Sequence, residues 1–143
     1  MTSAPDPSAA FMVHWAARLF VRAVERRLAG GNAGPMPVFV ALADGAALPQ
    51  KELARCASVE QPTMANTLKR MERDGLIART PDPEDGRSAL IALTRLGRQR
   101  AAEALRSAGE VDAFALGALK PAERQTFLDM LRRVAERLEQ DGQ

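Results

Sequence analysis

The chain has few of the side chains from which catalytic and metal sites are built. Its 143 residues include one cysteine, one histidine and no tyrosine, and only 4% of them are aromatic. A metal site needs several His, Cys or carboxylate ligands that converge, and a nucleophile needs a base within reach. The sequence shows neither pattern and no glycine-rich phosphate loop. We therefore expect no enzymatic activity, no metal and no cofactor.

The sequence also lacks signals for export or membrane insertion. A single cysteine cannot form an intrachain disulfide, which suits a reducing compartment. No apolar run reaches the ~20 residues that a membrane span requires. The N-terminus has no charged start followed by an apolar stretch, so it does not resemble a secretory signal. These absences predict a cytoplasmic protein with no membrane partner.

What is present is an ordinary globular composition with an uneven distribution of charge. Hydrophobic residues make up 46% of the chain and charged residues 27%, and the length favours one compact domain. The net charge of +2 does not by itself indicate a nucleic-acid partner. However, the segment from Gln61 to Arg100 contains eight cations and only five acids. The positive excess therefore lies in the middle of the chain.

That middle region predicts two short helices joined by a tight turn. The first covers residues 49–57, and the second covers residues 61–73 and ends at Gly75. Met64, Leu68 and Met71 recur at helical spacing, which predicts one buried face. The opposite face has amides, hydroxyls and cations but no carboxylate. It consists of Pro62, Asn66, Lys69, Arg70 and Arg73, with Thr63 at its margin.

A hairpin should follow this helix-turn-helix. Residues 76–80 and 88–93 are typical of strands, and the residues between them include two prolines, a glycine and three acids. Beside a helix-turn-helix such a hairpin is a wing. Arg87 near its tip could enter the minor groove, whose negative potential attracts arginine. Asp85 should orient Arg87 or cap the turn.

The ordered motifs of this region resemble the MarR family of bacterial transcription regulators. The resemblance rests on Gln-Lys-Glu-Leu-Ala at 50–54, Gln-Pro-Thr-Met at 61–64 and Arg-Met-Glu-Arg-Asp-Gly-Leu-Ile at 70–77. It rests further on Asp-Gly-Arg-Ser at 85–88 and Leu-Thr-Arg-Leu-Gly at 93–97. Pro49 departs from it, because family members often have Ser or Thr there as a helix cap. The resemblance implies a homodimer that binds DNA and responds to a small ligand.

The flanking segments predict a mainly α protein with a small β-hairpin wing. Residues 1–10 should form a flexible arm, and residues 10–29 a first helix. An almost wholly apolar helix at 38–43 should be buried behind the DNA-reading helices. After residue 94 we expect a helix capped by Thr94, which ends near Gly109 or continues to Leu116. A last helix should begin at Pro121. The winged helix-turn-helix then occupies residues 35–94, and residues 11–34 and 95–143 form a helical dimerisation region.

Two apolar stripes favour pairing with a second copy of the chain. The terminal helices have more apolar surface than one small domain can cover, and a two-fold axis is the simplest way to bury it. The residues predicted at this interface are Phe11, Trp15, Leu19, Phe127, Leu131, Val134 and Leu138. Two recognition helices would address half-sites about one helical turn, ~34 Å, apart, so the operator should be a near-palindrome.

The residues expected to contact double-stranded DNA divide by role. Gln61, Thr63, Asn66 and Arg70 should reach bases or flanking phosphates, because amides suit adenine and arginine suits guanine. Lys69 and Arg73 should bind phosphates. The complete predicted set is Gln61, Pro62, Thr63, Asn66, Lys69, Arg70, Arg73, Asp85 and Arg87.

Three questions stay open at the level of sequence. His14, Trp15, Arg18 and Phe39 are the candidate lining for a small aromatic effector, although the same residues could serve packing. Cys56 should be a small buried residue, with redox sensing as the alternative, and Arg55 beside it should point elsewhere. The regulator could also be an activator, lack a ligand, or use its winged helix for protein contact without DNA binding.

Overall fold

The computed structural model describes residues 6–142 of the chain. The helices within this range are α1 (Ala9–Glu25), α2 (Met36–Leu42), α3 (Gln50–Ala57), α4 (Gln61–Arg73), α5 (Arg95–Leu116) and α6 (Pro121–Asp141). The strands are β1 (Leu48–Pro49), β2 (Ile77–Pro81) and β3 (Ala89–Leu93). The predicted mainly α fold with a hairpin wing is confirmed. The order of the elements is that of a winged helix-turn-helix with helices on both sides.

Helix α1 begins where a serine supplies the cap. Ser8 Oγ accepts a hydrogen bond from the backbone N–H of Phe11 at 3.2 Å, which satisfies one of the free donors of the first turn. The helix therefore starts at Ala9, inside the arm predicted for residues 1–10, whose first five residues lie outside the described range. It ends at Glu25 rather than Ala29, and Gly30 and Gly31 follow with positive φ.

Helix α2 is short and packs against the core that it shares with α3 and α4. It starts at Met36, two residues before the predicted Val38, and it buries Val38, Phe39 and Leu42. The expected burial of this helix is therefore confirmed for these three residues and wrong for Val40, which is 60% exposed. A seven-residue helix packs one side against a core, and its other side remains on the surface.

The core that fixes α4 has the predicted periodicity. Met64, Leu68 and Met71 are 2%, 0% and 1% exposed and belong to one cluster with Leu53 of α3 and Ile91 of β3. Burial of such side chains contributes about 1.5–3 kcal/mol each. Because these three residues determine which side of α4 faces inward, they also determine which side faces solvent.

The sheet is antiparallel and has the order β1-β3-β2. In the hairpin Ile77 pairs with Leu93 and Arg79 pairs with Ile91, as the predicted wing requires. The two-residue strand β1, which pairs Leu48 with Ile91 across the other edge of β3, was not predicted. It connects the start of α3 to the wing, so the helix-turn-helix and the hairpin are hydrogen-bonded to each other.

A compact joint attaches the end of α4 to the start of α5. Gly75 adopts φ 74° and lets the N–H of Leu76 return to the carbonyl of Met71 at 2.9 Å. The hydroxyl of Thr94 donates to the carbonyl of Gly75 at 2.5 Å and accepts from the N–H of Gly97 at 3.0 Å. Thr94 is therefore the predicted cap of α5. A Cβ at Gly97 would lie 1.9 Å from the carbonyl oxygen of Leu76, so only glycine fits there.

The chain divides into two compact units, one up to Gly109 and the other from Glu110. Helix α5 continues through Gly109 to Leu116, the longer of the two predicted extents. In the second unit, the backbone N–H of Lys120 donates to Glu123 Oε1 at 2.8 Å, and α6 begins at Pro121 as predicted. No helix among residues 6–142 combines the length and apolar character that a bilayer crossing requires.

Candidate nucleic-acid interface

The outer face of α4 is open to solvent along its whole length. Every residue predicted to contact DNA from this helix is exposed, while its opposite side is buried in the core. These exposed residues are Gln61, Pro62, Thr63, Asn66, Lys69, Arg70 and Arg73. The unit that ends at Gly109 therefore does not cover the outer face of α4. The side chains near the N-terminus of α4 are free to approach base edges.

Most cations on this face keep their charge available. Within residues 6–142, neither Lys69 nor Arg70 has a recorded ion pair, and both are exposed. Arg73 Nε lies 3.3 Å from Asp74 Oδ1, a solvent-exposed pair between neighbouring residues. Such pairs are worth ~0–1 kcal/mol, so a phosphate could replace the carboxylate at little cost.

The tip of the wing is shaped by aspartates that hold backbone groups. Asp85 Oδ1 accepts a hydrogen bond from the N–H of Arg87 at 3.0 Å, and Asp82 Oδ1 accepts one from Glu84 at 2.9 Å. Of the two roles predicted for Asp85, the structure assigns it the turn cap. The side chain of Arg87 is exposed, and no ion pair is recorded for it in the described range. It therefore projects from the wing as a free cation.

A cleft that was not predicted lies along one flank of α4. It has a volume of about 510 Å³, and its lining combines residues of α3, α4 and β2. Those lining residues are Gln50, Ala65, Lys69, Glu72, Arg73 and Arg79. Glu72 and Arg79 were missed because they meet only when β2 folds back beside α4, and Gln50 was missed because it reaches the cleft from α3. Among residues 6–142, no group of three or more His, Cys, Asp or Glu side chains is placed to hold a metal ion.

Comparison with known proteins agrees with this architecture. A family model described as the MarR family matches residues 40–89. The transcriptional regulator HosA of Escherichia coli O111:H- is 34% identical over 97 residues, which cover 68% of this chain and 72% of HosA. The chain belongs to the MarR family.

Two further similarities extend this assignment. The HTH-type transcriptional repressor NicR of Pseudomonas putida is 28% identical over 102 residues, covering 71% of this chain and 65% of NicR. A crystal structure of a probable transcriptional regulator from Pseudomonas aeruginosa superimposes with a TM-score of 0.82 at 27% identity. The superposition covers 90% of this chain and 98% of the Pseudomonas aeruginosa chain. The similarity to that structure therefore extends beyond the winged region to the helices on both sides of it.

In this MarR-family chain Cys56 is not the buried residue that was expected. It is exposed, whereas Leu53 and Ala54 form the inner side of α3. The expectation that Arg55 points elsewhere is also wrong, because its Nη2 lies 4.0 Å from Cys56 Sγ. The same guanidinium hydrogen-bonds Glu52 and lowers the pKa of that carboxyl below its ordinary value. The inner side of α3 is formed by Leu53 and Ala54, with Ala57 packed against the core beside them. The expectation of burial is therefore wrong for Cys56 alone, because eight residues contain only two turns from which to judge which residues face inward.

The apolar stripes of the terminal helices are exposed, each within its own unit. In α1 these residues are Phe11, Trp15 and Leu19, and in α6 they are Phe127, Leu131, Val134 and Leu138. Helix α6 has no buried residue at all in the described range. Exposed apolar patches of this extent mark interaction surfaces. The assignment of these residues to a MarR dimer interface stays a prediction.

The four candidate effector residues lie in different surroundings. His14, Trp15 and Arg18 are exposed on α1, whereas Phe39 is 5% exposed and packs in the core cluster. A ligand could therefore reach Phe39 only after the core around α2 opens. The role of these residues in effector binding remains a prediction, and the structure supports a packing role for Phe39.

Proposed function

We propose that this MarR-family regulator is a homodimeric repressor that binds a near-palindromic DNA operator. One observation supports this most strongly. The inner side of α4 is completely buried, and its outer side presents Lys69 and Arg70 to solvent without ion partners in the described range. A helix held so firmly by its apolar side, with donors and cations on the other, is suited to lie in the major groove.

The proposed division of labour follows the chemistry of each side chain. Arg70 presents a fork of donors that matches the acceptors of guanine, and Asn66 suits adenine. Lys69 and Arg73 neutralise phosphates and so contribute affinity without sequence preference. Arg87 on the wing enters the adjacent minor groove, where a narrow groove of A·T pairs concentrates negative potential.

The dimer is proposed because the apolar sides of α1 and α6 are exposed within one chain. Leu131 and Val134 of α6 are 39% and 50% exposed, an arrangement that costs solubility unless another surface covers them. A second copy would bury both stripes and place two copies of α4 on the same duplex. NicR is named as a transcriptional repressor, and we propose that this chain also represses transcription.

A small aromatic ligand is proposed to relieve this repression. It would bind near His14, Trp15 and Arg18, where a ring, an imidazole and a cation stand on one exposed helix. Relief requires that the ligand prefer a dimer whose reading helices are wrongly spaced for DNA.

The DNA proposal is tested by fluorescence anisotropy with duplexes from the region upstream of the gene, at two salt concentrations. We expect tight binding to one duplex and weak binding to a shuffled duplex of equal composition. Affinity should fall steeply with salt, because each phosphate contact releases counterions with a slope of about −0.9. Equal, salt-insensitive or absent binding to both duplexes would contradict the proposal and favour a winged helix used for protein contact.

A further inference from the structure

The cleft beside α4 gathers three cations around one carboxylate. Lys69, Arg73 and Arg79 line it together with Glu72, so its lining has a net positive charge. Lys69 and Arg73 also belong to the outer face of α4, which makes the cleft a continuation of that face. The lining is therefore suited to an anion that already lies along α4.

Arg79 is the cation whose position is most constrained. Its backbone pairs with Ile91 in the middle of the hairpin, and Ile91 is 0% exposed. Its Nε lies 2.5 Å from Glu72 Oε2, and its side chain is 34% exposed, against 72% for Arg73. The strand thus holds the backbone of Arg79, and Glu72 holds its guanidinium.

The contact with Glu72 leaves most of the guanidinium unused. An arginine has five N–H donors in a rigid fork, and the recorded pair uses the one on Nε. No hydrogen bond is recorded from its Nη atoms to any residue in the described range 6–142. A guanidinium held through Nε with its terminal nitrogens open has the geometry that binds phosphate oxygens.

We propose that Arg79, oriented by Glu72, forms with Lys69 and Arg73 a binding site for a backbone phosphate of the DNA. This inference rests on the proposed function, because it places a phosphodiester beside a recognition helix. The cleft is wide and shares Lys69 and Arg73 with the reading face, so a phosphate in it belongs to the strand that α4 already follows. Glu72 is a positioning residue here and does not touch the DNA.

The test compares wild-type protein with Arg79→Gln on the specific and the shuffled duplex over a salt series. Arg79→Gln should weaken binding to both duplexes by the same factor, about three- to tenfold, and reduce the salt slope by about 0.9. Arg79→Lys should restore the slope, because it keeps the charge, and part of the affinity. Glu72→Gln should tighten binding to both duplexes by about two- to fivefold. Glutamine keeps an oxygen that can accept from Arg79 Nε, and it removes a negative charge near the phosphate.

Arg100→Gln is the matched control. It removes another ion-paired arginine, whose Nη1 lies 3.5 Å from Glu103 Oε2, on α5 and outside the cleft lining. It should leave the slope unchanged, and circular dichroism and melting should show that every variant is folded. A second arm replaces chloride by inorganic phosphate at equal ionic strength. It should weaken DNA binding by the wild type more than by Arg79→Gln, because free phosphate competes with the DNA phosphate for Arg79.

The outcomes separate the two proposals. If wild type binds the specific duplex but Arg79→Gln matches Arg100→Gln in affinity and slope, the phosphate site is refuted and the proposed function stands. A loss confined to the specific duplex would also refute it, because that is the signature of base reading. If Arg79→Gln keeps the wild-type affinity for both duplexes but inorganic phosphate weakens only the wild type, the cleft binds a free anion and not the DNA, and the phosphate site is refuted. If wild type binds no DNA, both proposals fail together.

Discussion

Leu68 in α4 and Leu131 in α6 both lie on the apolar side of an amphipathic helix, but their surroundings differ. Leu68 is 0% exposed and belongs to the core cluster of the first unit, whereas Leu131 is 39% exposed within the second. Helix α4 is complete within its own chain and leaves its polar side for another molecule. Helix α6 leaves its apolar side uncovered. The comparison teaches that one helix is built to present polar groups and the other to acquire a partner.

The largest effect is expected from a substitution in α4, whose apolar side is buried within its own chain. Leu68→Ala should lower the free energy of unfolding by about 2–5 kcal/mol, because it leaves a cavity in a closely packed core. Urea denaturation would measure this, and the loss should be the same at all protein concentrations. A loss that disappears at high concentration would mean that Leu68 belongs to an interface, and the comparison would fail.

The second prediction concerns α6, whose apolar side is exposed. Leu131→Glu should raise the dissociation constant of the dimer by about 30-fold or more, because it places a charge in the centre of an apolar interface. Sedimentation equilibrium would measure it. Ala122→Glu is the control, since it adds the same side chain on the far side of α6, at about 100° per residue. Equal effects of the two variants would contradict the assignment of this stripe to the interface.

A smaller effect is expected on the open face of α4. Arg70→Ala should cost ~1–3 kcal/mol of operator binding if it reads a base, and it should relax the preference at one base pair of each half-site. Arg87→Ala should weaken binding and change the preference for A·T pairs beside the half-site. Anisotropy with single-base variants of the operator would show both effects. Unchanged affinity in the two variants would refute these roles.

The smallest effect is expected at Cys56. This thiol is exposed and lies outside the core, so Cys56→Ser should change operator affinity by less than about twofold. Peroxide treatment should likewise leave the affinity of wild type unchanged. A loss of binding after peroxide that Cys56→Ser abolishes would instead establish redox control and overturn this prediction.

The sequence could predict what depends on local pattern and turn chemistry. The periodicity of Met64, Leu68 and Met71 located α4 and its buried side, and the turn residues before Arg87 located the hairpin. Thr94 was identifiable as a cap because its hydroxyl needs only neighbours a few residues away. The exposed faces of α1 and α6 were also identifiable, because apolar stripes are visible without knowing what covers them.

The features that sequence reasoning missed depend on contacts between distant segments. The pair of Glu72 and Arg79 forms only because the turn at Gly75 brings β2 back beside α4. The two residues of β1 are too few for a strand pattern and are defined by their pairing with β3. The burial of Cys56 in α3 and of Val40 in α2 was overestimated, because the surrounding core decides which residues of a short helix face inward.

Hydroxyl-radical footprinting of an operator duplex, combined with the molar mass of the complex, tests the central claim most directly. The account predicts two chains per duplex and two symmetric protected patches whose centres lie about 34 Å apart. Arg70→Ala should weaken both patches equally. One chain per duplex, a single patch, or no protection would contradict the claim that α4 and its symmetry mate read adjacent major grooves.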